Sequence, residues 1–147
     1  MKWQIVAISM SVWTGVGLGQ RPPHMRERLQ SLRIAYLAEE MQLMPEEAQS
    51  FWPVYNAREV ELRQARQQAR AQLSALQVKK TTLSPEAYAD SVSSVYLSLW
   101  RREAEIRAAF HDRFKKALPP EKLARFYHAE LRLLRRALGE APPHAPE

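Results

Sequence analysis

The constraint that most narrows what this chain can fold into is an absence. Between Gln20 and Leu138 there is no glycine, and the four glycines of the chain are Gly15, Gly17, Gly19 and Gly139. Strand-rich folds reverse direction often, and their tight turns use positive φ angles that glycine adopts at least cost. A body without glycine predicts an all-α fold with few connections. At 147 residues and 46% hydrophobic content, the chain is long and apolar enough for one domain with a small core.

Proline supplies the punctuation instead. Leu43-Met44-Pro45-Glu46-Glu47, Leu83-Ser84-Pro85-Glu86 and Leu118-Pro119-Pro120-Glu121 each set proline at a first helical position, where its missing donor costs nothing. Each also places glutamate in the first turn, where the helix dipole favours negative charge. Four helices follow, over about Met25 to Gln42, Pro45 to Lys79, Pro85 to Leu118 and Pro120 to Leu138. The middle two reach roughly 50 Å each at 1.5 Å per residue. Only Ser84 is a good N-cap, so the starts after Met44 and Pro119 are expected to depend on tertiary packing.

The third helix carries Val92, Val95, Leu99, Ile106, Phe110, Phe114 and Leu118 at coiled-coil spacing. Glu103 interrupts this seam. If the chain folds straight back at Pro119, Arg135 and Arg136 reach the same depth, and an interhelical ion pair with Glu103 is expected. The second helix holds an interior proline in Phe51-Trp52-Pro53-Val54-Tyr55, at a cost of roughly 3 kcal/mol. Burial of the four large neighbours, at roughly 1.5 to 3 kcal/mol each, offsets it. Pro53 then either bends a long helix or lets the aromatics reach the first helix.

Residues 1–19, MKWQIVAISMSVWTGVGLG, read as a secretory signal peptide, with cleavage expected near Gly19. Retention as an N-terminal anchor is the alternative. Residues 20–24 read as an extended leader, 25–138 as the helical domain and 139–147 as a disordered tail. With no cysteine, neither a lipoprotein anchor nor a disulfide is available. The formal net charge is +6, spread mainly among carboxylates as on a solvated helix surface. Export to the periplasm would separate the protein from cytoplasmic nucleic acid. Acidic proteins, anionic lipid or lipopolysaccharide would remain as counterparts.

Catalytic signatures are missing: no Gly-rich phosphate loop, no His-Glu-x-x-His and no nucleophile elbow. The chain is not expected to be an enzyme, and no cofactor is expected. His111 and His128 flank the turn at Pro119 and are the candidates for a metal pair. They lack a clear third ligand, so no metal site is assigned. Met25, Met41 and Met44 need no role beyond filling the core.

Three segments, Arg33 to Asn56, Leu83 to Asp90 and Phe114 to Glu130, resemble the Spy/CpxP-like periplasmic proteins, a family with a Leu-Thr-x-x-Gln signature. The resemblance is to the Bacteroidota branch labelled as sensors of ECF-type sigma factors. Neither the threonine nor the glutamine of the signature is present at Leu43-Met44-Pro45-Glu46-Glu47 or Leu118-Pro119-Pro120-Glu121-Lys122, which leaves the Phe51-Trp52-Pro53-Val54-Tyr55 element as the better match. The resemblance implies two very long helices in a bent antiparallel hairpin, usually as a homodimer forming a thin cradle. It implies ATP-independent holding of unfolded envelope proteins. Alternatively, it implies regulation of a membrane-bound stress sensor or anti-sigma factor, with metal-responsive relatives. On the second helix, Arg58, Leu62, Arg63, Arg66, Arg70 and Leu73 offer a basic and apolar strip that serves either client binding or a dimer seam.

Overall fold

A computed structural model describes residues 23–137, and side-chain surroundings within 27–136. The signal-peptide and tail assignments lie outside the described residues. Four helices make up the described body: α1 (Pro23–Met41), α2 (Pro45–Val78), α3 (Pro85–Ala117) and α4 (Pro120–Ala137). The fold is all-α, and every helix begins at a proline. One boundary needs correction, because Pro23 and His24 belong to α1 and not to an extended leader. A proline at the first helical position has no donor to lose, and its fixed φ suits the helix.

The helices α2 and α3 lie side by side and run in opposite directions. Tyr88 Oη donates to Gln77 Oε1 at 2.8 Å near their connection, Arg66 Nε donates to Glu103 Oε1 at 2.6 Å midway, and the Phe51 and Phe114 rings sit 5.6 Å apart at the far end. The third helix starts on Ser84, whose hydroxyl accepts from the Ala87 N–H at 3.2 Å. At the far end α1 and α4 pack on one another and cover the aromatic ends of α2 and α3.

The core is concentrated there. Phe51, Phe114 and Phe126 are fully buried, with ring centroids 4.9 to 5.6 Å apart. Leu37 and Met41 of α1 close the cluster. On α3 the seam divides in two. Ile106, Phe110, Phe114 and Leu118 are buried, whereas Val92, Val95 and Leu99 are only half-buried. Beyond Ala69 each of the two long helices packs, among the described residues, only on the other, so the apolar side chains there stay partly exposed.

The glycine-free turn between α1 and α2 is held from outside. Gln42 adopts φ 50°, a left-handed conformation that costs a side chain carrying Cβ roughly 1 to 2 kcal/mol. Lys122 Nζ donates to the Gln42 carbonyl at 2.7 Å, and Arg125 Nη1 donates to Gln42 Oε1 at 3.0 Å. At the following cap the Met44 N–H donates to Glu47 Oε2 at 2.8 Å, and Lys122 pairs with the same carboxylate. Lys122 first, and the Met44 N–H after it, hold Glu47 below the usual carboxylate range. The dependence of this helix start on tertiary packing therefore has a specific agent, α4.

Two placements differ from the sequence expectations for one reason. After the Pro119-Pro120 corner α4 packs mainly on α1 and touches α3 through contacts such as Phe126 on Phe114 and Tyr127 on His111. Glu103 therefore pairs with Arg66 of α2 and, at 3.6 Å, with Arg107, not with Arg135 or Arg136. The guanidinium of Arg136 lies over the Tyr36 ring of α1 at 4.9 Å.

One network, centred on Arg58, joins all four helices. Arg58 is 1% exposed and donates through Nη1 to Glu130 Oε2 at 3.0 Å, through Nη2 to Glu130 Oε1, and to Glu59 Oε1 at 3.1 Å. Its guanidinium carbon stands 5.1 to 5.2 Å from the ring centres of Tyr55, Phe114 and Phe126. Arg33 of α1 completes the network, reaching Glu59 at 3.3 Å and Glu130 at 3.5 Å. Burial works against the Arg58 charge, but the hydrogen bond and charge of Glu130, with Glu59, outweigh it and raise its pKa. Breaking such a pair from one side leaves a buried charge uncompensated, at a cost of about 3 to 5 kcal/mol. In urea unfolding, Arg58→Met should lose about that much stability, whereas Arg58→Met combined with Glu130→Leu should recover most of it.

Candidate binding groove

The cover formed by α1 and α4 is incomplete. Toward the start of α1 and the end of α4 the two helices leave an open groove of about 620 Å³ against the middle of α2 and α3. Leu29 and Leu32 of α1 and Leu131, Leu133 and Leu134 of α4 form its apolar walls, with Leu62 of α2 beneath. Leu29, Leu32, Leu131 and Leu134 are 45 to 59% exposed, which marks an apolar surface that no described residue covers. Leucines spaced three apart on facing helices create this wall, because residues at i and i+3 share a helix face.

Charge frames the leucines. Five arginines line the groove, Arg33, Arg58, Arg66, Arg107 and Arg136, against two glutamates, Glu59 and Glu130. Both glutamates are already engaged by Arg33 and Arg58. Arg66 and Arg107 share Glu103 at the rim. Arg136 makes no ion pair among the described residues. Among the described residues no histidine, serine or aspartate lines it. Such an arrangement can hold apolar groups beside a carboxylate or another anion.

Tyr36 connects the groove to the core, of which Tyr55 is part. The Tyr36 hydroxyl accepts from Arg132 Nε at 3.1 Å, and Arg132 also pairs with Glu40. This bond to Tyr36 is the main cause that raises the Arg132 pKa, while desolvation opposes it. Burial pushes the Tyr55 phenol up, and its hydroxyl has no hydrogen-bond partner among the described residues.

The strip expected on α2 is not one surface. Arg58 and Leu62 are in the core and reach the groove only as its nearly closed floor; the continuous stripe Phe51, Tyr55, Arg58, Leu62, Ala65 faces inward. Arg63, Arg66 and Arg70 are exposed, and Leu73 is half-buried on the two-helix stretch. Arg63 lines a smaller cavity of about 240 Å³ with Leu29, Gln30 and Tyr55. In the aromatic element, Phe51 and Tyr55 are buried, Trp52 is half-buried, and Pro53 is on the exposed side of a helix that continues through it.

The metal candidates do not come together as a site. His111 Nδ1 is 2.9 Å from the Tyr127 hydroxyl, and His128 is exposed. No group of three or more possible metal ligands exists among the described residues. Burial is the first cause that raises the Tyr127 pKa, with Glu130 adding and Arg58 opposing.

Sequence reading missed Leu131, Leu133 and Leu134. The signal was the alternation of leucine and arginine over 131–136, which becomes a groove wall only once α4 is known to face α1. Compared with known proteins, the chain matches no family model, and no curated protein or solved structure proved similar to it.

The groove predicts that an anionic apolar dye such as anilinonaphthalene sulfonate brightens on the folded protein. Leu131→Ser with Leu134→Ser should reduce that signal at least about fivefold, and Arg136→Gln about twofold, at unchanged helical content by circular dichroism.

Proposed function

We propose that this protein is a periplasmic, ATP-independent holding protein that binds apolar segments of unfolded envelope proteins, in the manner of the Spy/CpxP-like family it resembles. The observation that carries the reading is the open, leucine-walled groove with an arginine rim. An unfolded client presents what such a surface takes: apolar side chains in short runs, with carboxylates beside them.

In this reading the long α2 and α3 form the bent antiparallel hairpin of a thin cradle, and two copies pair as a homodimer. The exposed leucines bind clients, and the free arginines Arg63, Arg70 and Arg136 attract acidic segments before contact. Arg58 and Leu62 keep the groove in shape from below. The absence of a nucleotide-binding motif from the sequence fits capture by affinity alone.

The test is suppression of aggregation. The protein at near-stoichiometric ratio should lower light scattering from a chemically denatured client, and added salt should weaken the electrostatic share of capture. Leu131→Ser with Leu134→Ser should lose most of that protection. An unaltered wild-type client aggregation curve at every ratio would overturn the holding reading.

A further inference from the structure

The α3 helix has a second apolar stripe that its packing leaves unused. Besides the seam toward α2, Ser93, Tyr96, Leu97, Trp100 and Ala104 recur at i, i+3, i+4, i+7 and i+11, and all are exposed. Tyr96, Leu97 and Trp100 are 41, 57 and 61% exposed. The Tyr96 and Trp100 rings are 6.1 Å apart, so the two form one aromatic patch.

The patch lies on a definable side of the α2/α3 layer. The Arg66 to Glu103 ion pair marks one edge of the seam. On α3, Tyr96, Trp100 and Arg107 stand at i−7, i−3 and i+4 from Glu103, and on α2, Arg63 and Arg70 stand at i−3 and i+4 from Arg66. Arg101, four residues beyond Leu97, borders the patch. Arg63, Arg70 and Arg101 make no ion pair among the described residues. The nearby Glu103 is shared by Arg66 and Arg107. This side therefore presents exposed aromatics with Arg63, Arg70 and Arg101 close by, while the carboxylates of Glu86 and Asp90 lie on the same stripe toward the start of α3, on a chain of net charge +6.

Two arguments choose the occupant. The first is area: Tyr96, Leu97 and Trp100 together expose roughly 300 to 400 Å², about half of what one partner buries in a stable dimer. A second copy is poorly matched by this patch. The second is charge and residue type. Tryptophan and tyrosine favour the boundary between headgroups and acyl chains, leucine the layer beneath, and arginine the phosphates of anionic lipid. No described helix is long and apolar enough to cross a membrane, so contact would be along the surface.

We propose that this side of α3, with Tyr96, Leu97 and Trp100 flanked by Arg63, Arg70 and Arg101, docks the protein on an anionic phospholipid surface. The groove opens on the same side, since Arg66 and Arg107 line it. Docking would hold the groove close to the membrane. Lipid contact does not depend on the holding activity, and either can fail alone.

The chain has no cysteine, so single labels can locate the contact in the full-length protein. Ser93→Cys and Ser98→Cys, each carrying an environment-sensitive fluorophore, place probes on the patch and on the opposite edge, where Ser98 lines a cavity with Gln68 and Arg102. With phosphatidylcholine vesicles containing phosphatidylglycerol, the Ser93 probe should shift to the blue and brighten, and the Ser98 probe should not. Vesicles of phosphatidylcholine alone should give a weaker response. Tyr96→Ser with Trp100→Ser, checked for unchanged helicity, should lower partitioning at least about tenfold. A silent Ser93 probe, equal responses at both positions, or a Ser93 response that follows protein concentration without lipid would each overturn the proposal. The last would identify a second copy as the occupant.

Discussion

The Arg58 to Glu130 contact is the interaction on which the rest of the structure depends. Its partners come from helices 72 residues apart in sequence, and three aromatic rings enclose the guanidinium. An arginine in such a site is stable only while its carboxylates are present. The same atoms that tie α4 to α2 also bring in α1 through Arg33. Aromatic burial supplies affinity between the helices, and the ion network gives them one register.

That division of labour leaves the molecule uneven. One end has four helices, a closed aromatic core and a polar clasp at Gln42 and Glu47 held by Lys122 and Arg125. The other is a pair of long helices whose facing residues, Leu73, Leu76, Val92 and Val95, remain half-exposed. Local opening needs least energy where few apolar contacts are buried. The groove sits at the boundary between these regimes, supported on one side by the ion network and open on the other. For the proposed holding role, that placement gives the groove a floor fixed by the ion network and walls with exposed leucines.

Much of the helical layout was legible in the sequence, and the reasons are local. Proline followed by glutamate marks a helix start whatever the tertiary context, and the lack of glycine leaves few other turns. The seam on α3 was likewise readable from spacing alone. The polar core was not. Arg58 falls on the stripe with Phe51, Tyr55 and Leu62, yet an arginine on an amphipathic helix reads as solvated until a buried carboxylate is known to face it. Glu130 is that carboxylate, and only the turn of α4 onto α1 puts it there. The same turn explains why Glu103 found Arg66 and why the leucines of α4 became a groove wall. Local patterns specify helices; the direction taken after Pro119-Pro120 decides which residues meet.

Hydrogen exchange, followed residue by residue in the wild type and in Glu130→Gln, tests this account most directly. Amides over residues 51–62, 106–118 and 123–130 should exchange slowest and together, and those over 72–78 and 86–95 markedly faster. Glu130→Gln should speed exchange in α1 and α4 while leaving the far ends of α2 and α3 unchanged. Uniform protection along both long helices, or α1 and α4 as protected in the variant as in the wild type, would contradict a structure organised around the buried arginine.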